Sequence, residues 1–205
     1  MSEMFKRPIL VVILLCAIHP LTAQKKSFQK GYIIAMNGDT IPGLVKDRSP
    51  EPFVSLYNKI RFKEAGRSRT KKYVPDAILG YGYQGQHFLS MPFREESAFF
   101  KFRYYTDEAA PRVFLKVIRQ SEGLIYFEYL FVHDDNSYLD AFPLFYRPGD
   151  PEMVRVTQGL FGFKKKQLAN YFSDCPALTE ELFTDKTSFR TVPELYAFCL
   201  VHCVP

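Results

Sequence analysis

The chain has 205 residues, 47% of them hydrophobic and 24% charged, with a formal net charge of +5. That length suits one domain able to bury a real core, and that apolar content excludes a disordered or low-complexity chain. The positive excess is mild and reads as a solvated surface rather than a nucleic-acid-binding one.

The first segment reads as a leader. Lys6 and Arg7 supply a positive start, "ILVVILLCAI" supplies an apolar run, and "LTA" before Gln24 offers a cleavage site after Ala23. This is the order of a secretory signal peptide. The run is about half of the ~20 residues a spanning helix needs, so no membrane span is expected once the leader is removed. Cys16 follows Leu15, which is larger than the small residue that normally precedes a lipidated cysteine. The domain organisation expected is therefore 1–23 as signal peptide and 24–205 as one β-rich domain. The placement expected is export to the periplasm, cell envelope or exterior.

The mature part opens with "GYIIAMNGDTIPGLV", from Gly31 to Val45. Asn37-Gly38 supplies residues that tolerate positive φ, so the spacing predicts a hairpin with a two-residue type I′ turn. Ile33 and Ala35 would share one face of the first strand, and Ile41, Gly43 and Val45 one face of the second. Asp39 sits beside the turn, where a lone carboxylate is a turn residue rather than a catalytic acid or metal ligand. "NKIRFKE" alternates polar and apolar residues and reads as a strand. The basic run "RSRTKK", Arg67 to Lys72, reads as a loop with scope for contact with acidic glycans or lipid headgroups. "AILGYGY" and "QHFLSM" form a second hairpin around Gln84-Gly85. "AFFKFRYY", Ala98 to Tyr105, reads as one strand. "RVFLKVIRQ" and "LIYFEYLFV" are the strongest pair: Val113, Leu115 and Val117 share one face, as do Ile125, Phe127, Tyr129 and Phe131. "SYLDAFPLFYR" follows the turn "HDDN". The aromatic content, 20 Phe and 13 Tyr without Trp, collects in these short runs, which favours an antiparallel meander in a barrel-like or sandwich sheet.

Near residue 163 the period changes to that of helices. Leu168 and Phe172 lie at i, i+4, as do Leu178 and Leu182. Asp174 is a candidate cap with Pro176 in the first turn, and Thr191 a candidate cap ahead of Pro193. Leu195, Phe198, Cys199 and His202 would share a face. The fold class expected is α+β: a mainly antiparallel sheet followed by two or three short helices. Three cysteines fall in this tail. Cys199 and Cys203, four apart on a helix, have Cβ atoms about 5–6 Å apart, too far for a disulfide. That leaves Cys175–Cys203, joining the two ends of the tail, or Cys175–Cys199.

The opening "KGYIIAMNGDTIPGLVKD" after a signal peptide, and the ending "LANYFSDCPALTEELF…LYAFCLVHC", resemble a group of uncharacterised exported proteins of Bacteroidota-type bacteria. The group shares a "GYI…NGDT…G" opening and a helical "DCP.L" ending with a terminal cysteine. The resemblance covers both ends of the mature chain. It implies Cys175–Cys203 as the structural pair, with Cys199 as an extra and His202 standing where Asn is usual. It carries no activity or ligand.

Three clusters bear on chemistry. His133, Asp134 and Asp135 in "HDDNS" have the residue types of acid–base work or metal binding, in a stretch whose composition is that of a hairpin turn. Cys175, Cys199, His202 and Cys203 lack any established zinc spacing. Tyr81, Tyr83, His87 and Phe88 form an aromatic hairpin able to stack on sugar rings or a partner, or to pair across strands within the sheet. No G-x-S-x-G elbow or phosphate-binding loop is present. The function expected is an exported, non-catalytic binding module for an envelope protein or glycan, with Tyr81, Tyr83, His87 and Phe88 as binding residues and no cofactor or metal. The alternative is a small envelope hydrolase using His133, Asp134 and Asp135; a third reading is a stress- or adhesion-related structural protein.

Overall fold

The structure, a computed structural model, describes residues 27–48, 59–98, 101–132, 139–159, 162–184 and 188–204. The leader segment 1–23 and the residues His133, Asp134 and Asp135 lie outside them. The β part begins with β1 (Gln29–Ile34), β2 (Thr40–Lys46), β3 (Ile60–Glu64) and β4 (Thr70–Tyr73). Next come β5 (Gly80–Tyr83), β6 (Gln86–Pro92), β7 (Arg94–Ala98) and β8 (Lys101–Tyr105). The last four strands are β9 (Arg112–Gln120), β10 (Ile125–Val132), β11 (Leu139–Tyr146) and β12 (Glu152–Arg155). Helices α1 (Lys165–Tyr171), α2 (Pro176–Phe183) and α3 (Val192–His202) follow. The protein is thus α+β, an antiparallel sheet followed by three C-terminal helices.

Among the described residues the twelve strands form one sheet in the order β4-β3-β2-β1-β5-β6-β9-β10-β11-β12-β8-β7. The sheet is open, with β4 and β7 at its ends. It curls, because β7 is the direct continuation of β6 past Phe93. The first arm of that strand pairs with β9 and the second with β8. Inside the curl lie Phe93, Tyr104, Leu115, Ile125, Phe127, Phe142, Leu144 and Met153. The opposite face of β10–β12 supplies Tyr126, Phe145 and Val154 to a second cluster under the helices, which add Leu168, Phe172, Leu178, Leu182 and Leu195. A third cluster, with Ile33, Val45, Ile60, Phe62, Tyr81, Phe88 and Phe114, fills one face of β1–β5. Opposite the Tyr126–Phe127 step β9 carries one extra residue, Ile118. This bulge sends Ile118 to the helix side while Val117 stays inside the curl.

Several local expectations change. The first hairpin has a three-residue loop, not a type I′ turn. The Gly38 amide donates to the Ala35 carbonyl at 2.9 Å and the Ala35 amide to the Asp39 carbonyl at 2.9 Å. Of the loop residues only Gly38 has positive φ, at 89°. This is a type I turn closed by a glycine bulge, and the Asn37 side chain supports it by accepting from the Asp39 amide at 3.1 Å. At the second hairpin Gln84 and Gly85 both have positive φ, 49° and 74°, as a two-residue turn requires. The basic run is not all loop: Thr70–Lys72 belong to β4, an edge strand, where lysines discourage further pairing. The polar "REESA" forms β7, so the stretch from Ala98 to Tyr105 holds the end of one strand and the whole of the next. Asp174 does not cap α2, whose first turn follows Cys175; its carboxylate instead accepts from Arg147 at 2.7 and 2.8 Å.

The tail closes as its chemistry suggests. Thr191 accepts from the Glu194 amide while the Glu194 side chain accepts from the Thr191 amide, a reciprocal cap on α3. Cys175 and Cys203 form a disulfide across a separation of 28 residues, with Cα atoms 5.1 Å apart. A disulfide is compatible with an oxidising location. It also occupies two of the four residues of the cysteine–histidine group. Cys199 is a buried free thiol, and His202 is exposed, its ring tilted against Phe198 with centres 4.4 Å apart. Among the described residues no helix is long and apolar enough to cross a membrane.

Candidate binding cleft

The aromatic hairpin is mostly interior. Tyr81 is 0% and Phe88 1% exposed, and their rings stack at 4.5 Å with an interplanar angle of 3°. Strand alternation accounts for this: Tyr81, Tyr83 and Phe88 point to the same face as Ile33 and Val45, and that face is core. The exposed aromatic patch that stacking on a ligand requires is therefore not formed by Tyr81 and Phe88. Tyr83 is half-buried beside them. Both tyrosine hydroxyls donate to Asp47, Tyr81 to Oδ1 at 2.5 Å and Tyr83 to Oδ2 at 2.9 Å. Arg48 completes the buried group, donating to the Phe114 carbonyl at 3.1 Å with its guanidinium 5.2 Å from the Phe88 ring centre. Burial, then the neighbouring Asp47 charge against the opposing effect of Arg48, holds the Tyr81 hydroxyl protonated well above the ordinary tyrosine range. This assembly locks β2 to β5 and β9.

His87 alone of the four lies on the exposed face. Its Nδ1 is 2.5 Å from the Tyr32 hydroxyl. The contact spans β5, since Tyr32 and His87 both pair with Gly82. A Cβ at Gly82 would come within 2.6 Å of the Tyr32 ring, so glycine is what lets the tyrosine cross.

A cleft of about 720 Å³ opens elsewhere, between β8, β12 and α1. Arg103 and Tyr104 reach it from β8, Glu152 and Arg155 from β12, and Lys166 and Tyr171 from α1. Phe102, 37% exposed, also lines it. The pairing of β12 with β8 builds this site: Glu152 lies opposite Tyr105 and Met153 opposite Tyr104. At one end Arg147 is committed to structure. It donates to Asp150 at 3.0 Å and to Asp174, and its guanidinium lies 5.3 Å from the Tyr171 ring centre. Tyr171 receives the Arg147 amide at 2.9 Å and donates to the Glu152 carbonyl at 3.3 Å, and burial pushes its pKa up.

The remaining cations differ in how far they are engaged, and Arg155 donates to the Thr157 carbonyl at 3.0 Å. Lys166 is exposed and makes no ion pair among the described residues, while Arg103 forms a long, exposed ion pair with Glu152 at 3.9 Å. Arg155 spreads its guanidinium over the Phe142 ring at 4.2 Å. Beside it the Tyr104 hydroxyl, on a side chain 1% exposed, has no hydrogen-bond partner. Burial raises the Tyr104 pKa, and Arg155 partly offsets that. A buried hydroxyl without a partner costs about 1–3 kcal/mol; this one points into the curl, among Phe93 and Phe142, and not into the cleft.

The aromatic hairpin and the cleft are separate features. The residues of the cleft come from three distant segments, and the linear hint is the lysine run at the start of α1. No group of three or more His, Cys, Asp or Glu able to hold a metal ion occurs among the described residues. No family model, curated protein or solved structure matches the chain.

Proposed function

We propose that the protein is an exported, non-catalytic binding module of the cell envelope, and that its ligand is an acidic saccharide held in the cleft between β8, β12 and α1. The observation that carries this reading is the cleft of about 720 Å³ itself, with the Arg103 and Lys166 cations at its rim and the part-exposed Phe102 in its wall. The rim cations receive the ligand's carboxylates. Phe102 and Tyr171 offer aromatic faces for sugar rings. The leader-like first segment, the disulfide and the resemblance to exported proteins support the placement.

The test is calorimetric titration of the purified protein with a uronic-acid oligosaccharide and with its uncharged counterpart. Binding of the acidic sugar, lost in Arg103→Glu/Lys166→Glu, supports the proposal. Equal binding by the rim variant removes the cleft as the site. Turnover of the sugar, abolished by His133→Ala, would establish the hydrolase alternative instead.

A further inference from the structure

The outer face of β1–β4 is a second surface, independent of the cleft. The inner face is core, with Ile33, Val45, Ile60 and Phe62 buried. Alternation then places Lys30, Lys46, Arg61, Lys63 and Lys72 on the opposite side. Register gathers them. Lys46 pairs with Arg61 and Arg61 with Lys72, so three cations lie side by side across three strands. The next row on that face runs from Lys30 through Leu44 to Lys63. Lys30, Arg61 and Lys72 are exposed, and Lys46 and Lys63 are half-buried along their stems. Among the described residues, none of the five forms an ion pair.

Like charges directly opposite one another weaken a sheet. Edge protection accounts for a lysine on β4, but Lys46 and Arg61 sit on interior strands, where no edge needs guarding. A repulsive row of this kind is relieved when anions cover it. We infer that this face docks on a membrane surface through anionic lipid headgroups. The shape favours a planar partner over a polymer. Neighbouring strands stand about 4.8 Å apart and alternate residues about 6.6 Å apart, so the cations form a two-dimensional array. Leu44 and Tyr32 lie between or beside the rows and suit an interfacial depth.

The experiment is co-sedimentation of the exported protein with phosphatidylcholine vesicles, with and without phosphatidylglycerol, at low and high salt. Binding should require the anionic lipid and fall with salt. Replacing three cations in Lys46→Glu/Arg61→Glu/Lys72→Glu should weaken it by at least about 100-fold, at about fivefold for each cation lost. The neutral triple Lys46→Gln/Arg61→Gln/Lys72→Gln relieves the repulsion, so it should melt no lower than wild type while binding more weakly. Undiminished binding by the neutral triple, or equal binding to uncharged vesicles, overturns the inference. So does capture of a soluble sulfated polysaccharide by this face without any vesicle binding.

Discussion

Strands β1–β4 and β10–β12 belong to one sheet but solve different burial problems. In β3 the buried Ile60 and Phe62 alternate with Arg61 and Lys63, because one side packs and the other meets solvent. In β10, Ile125 and Phe127 enter the curl while Tyr126, between them, packs under the helices. A continuous apolar run therefore marks a strand covered on both sides, and strict alternation marks a strand covered on one. The contrast also separates roles: the two-sided strands hold the fold, and the one-sided strands have a face to spare.

The largest expected effect falls on the two-sided strands. Phe127→Ala and Phe145→Ala each empty a fully buried site and should cost about 3–5 kcal/mol in denaturant unfolding. Removing the staple over the same region, with Cys175→Ser/Cys203→Ser, should lower stability by about 2–4 kcal/mol. On the other side of the comparison, Tyr81→Phe deletes the buried hydrogen bond to Asp47 without emptying the core, and a loss of about 1–3 kcal/mol is expected in the same assay. A smaller effect is pH-linked. Burial pushes the Cys199 thiol up to about 12. The folded state thus holds the proton more tightly than the unfolded chain, whose thiol titrates near ~8.5. The stabilisation is complete below that pH and is lost as pH rises toward 12. Cys199→Ala should flatten this alkaline decline, and alkylation of the native thiol at pH 8 should be slow until denaturant is added. Smallest of all, Arg61→Gln on the wet face should leave stability within about 0.5 kcal/mol. A large loss there would break the distinction between the two regions.

Much of the local fold is legible in the sequence. Val113, Leu115 and Val117 share a face with Ile125, Phe127, Tyr129 and Phe131, as their spacing indicates, since period-two alternation needs only the chain itself. The helix signals at Pro176, Thr191 and Pro193 are equally local. The turn at Asn37-Gly38 shows the limit: the same dipeptide serves a two-residue or a three-residue loop, and cross-strand register chooses. The burial of Tyr81 and Phe88 was not legible, because alternation says that residues share a face but not which face is inside. Strand β7 escaped for the opposite reason, since "REESA" has no apolar face and is held by its partner β8.

By itself the sequence determined the class of the fold, most strand and helix positions, and which side chains travel together, because those follow from periodicity and capping within a few residues. Tertiary structure alone decided the sheet order, the sharing of one bent strand between β9 and β8, and the meeting of Arg103, Tyr104, Arg155 and Lys166 in a cleft. It also decided that Lys46, Arg61 and Lys72 stand in one row. Each of these depends on pairing between distant segments, where the free energy comes from burying faces against one another rather than from any local preference.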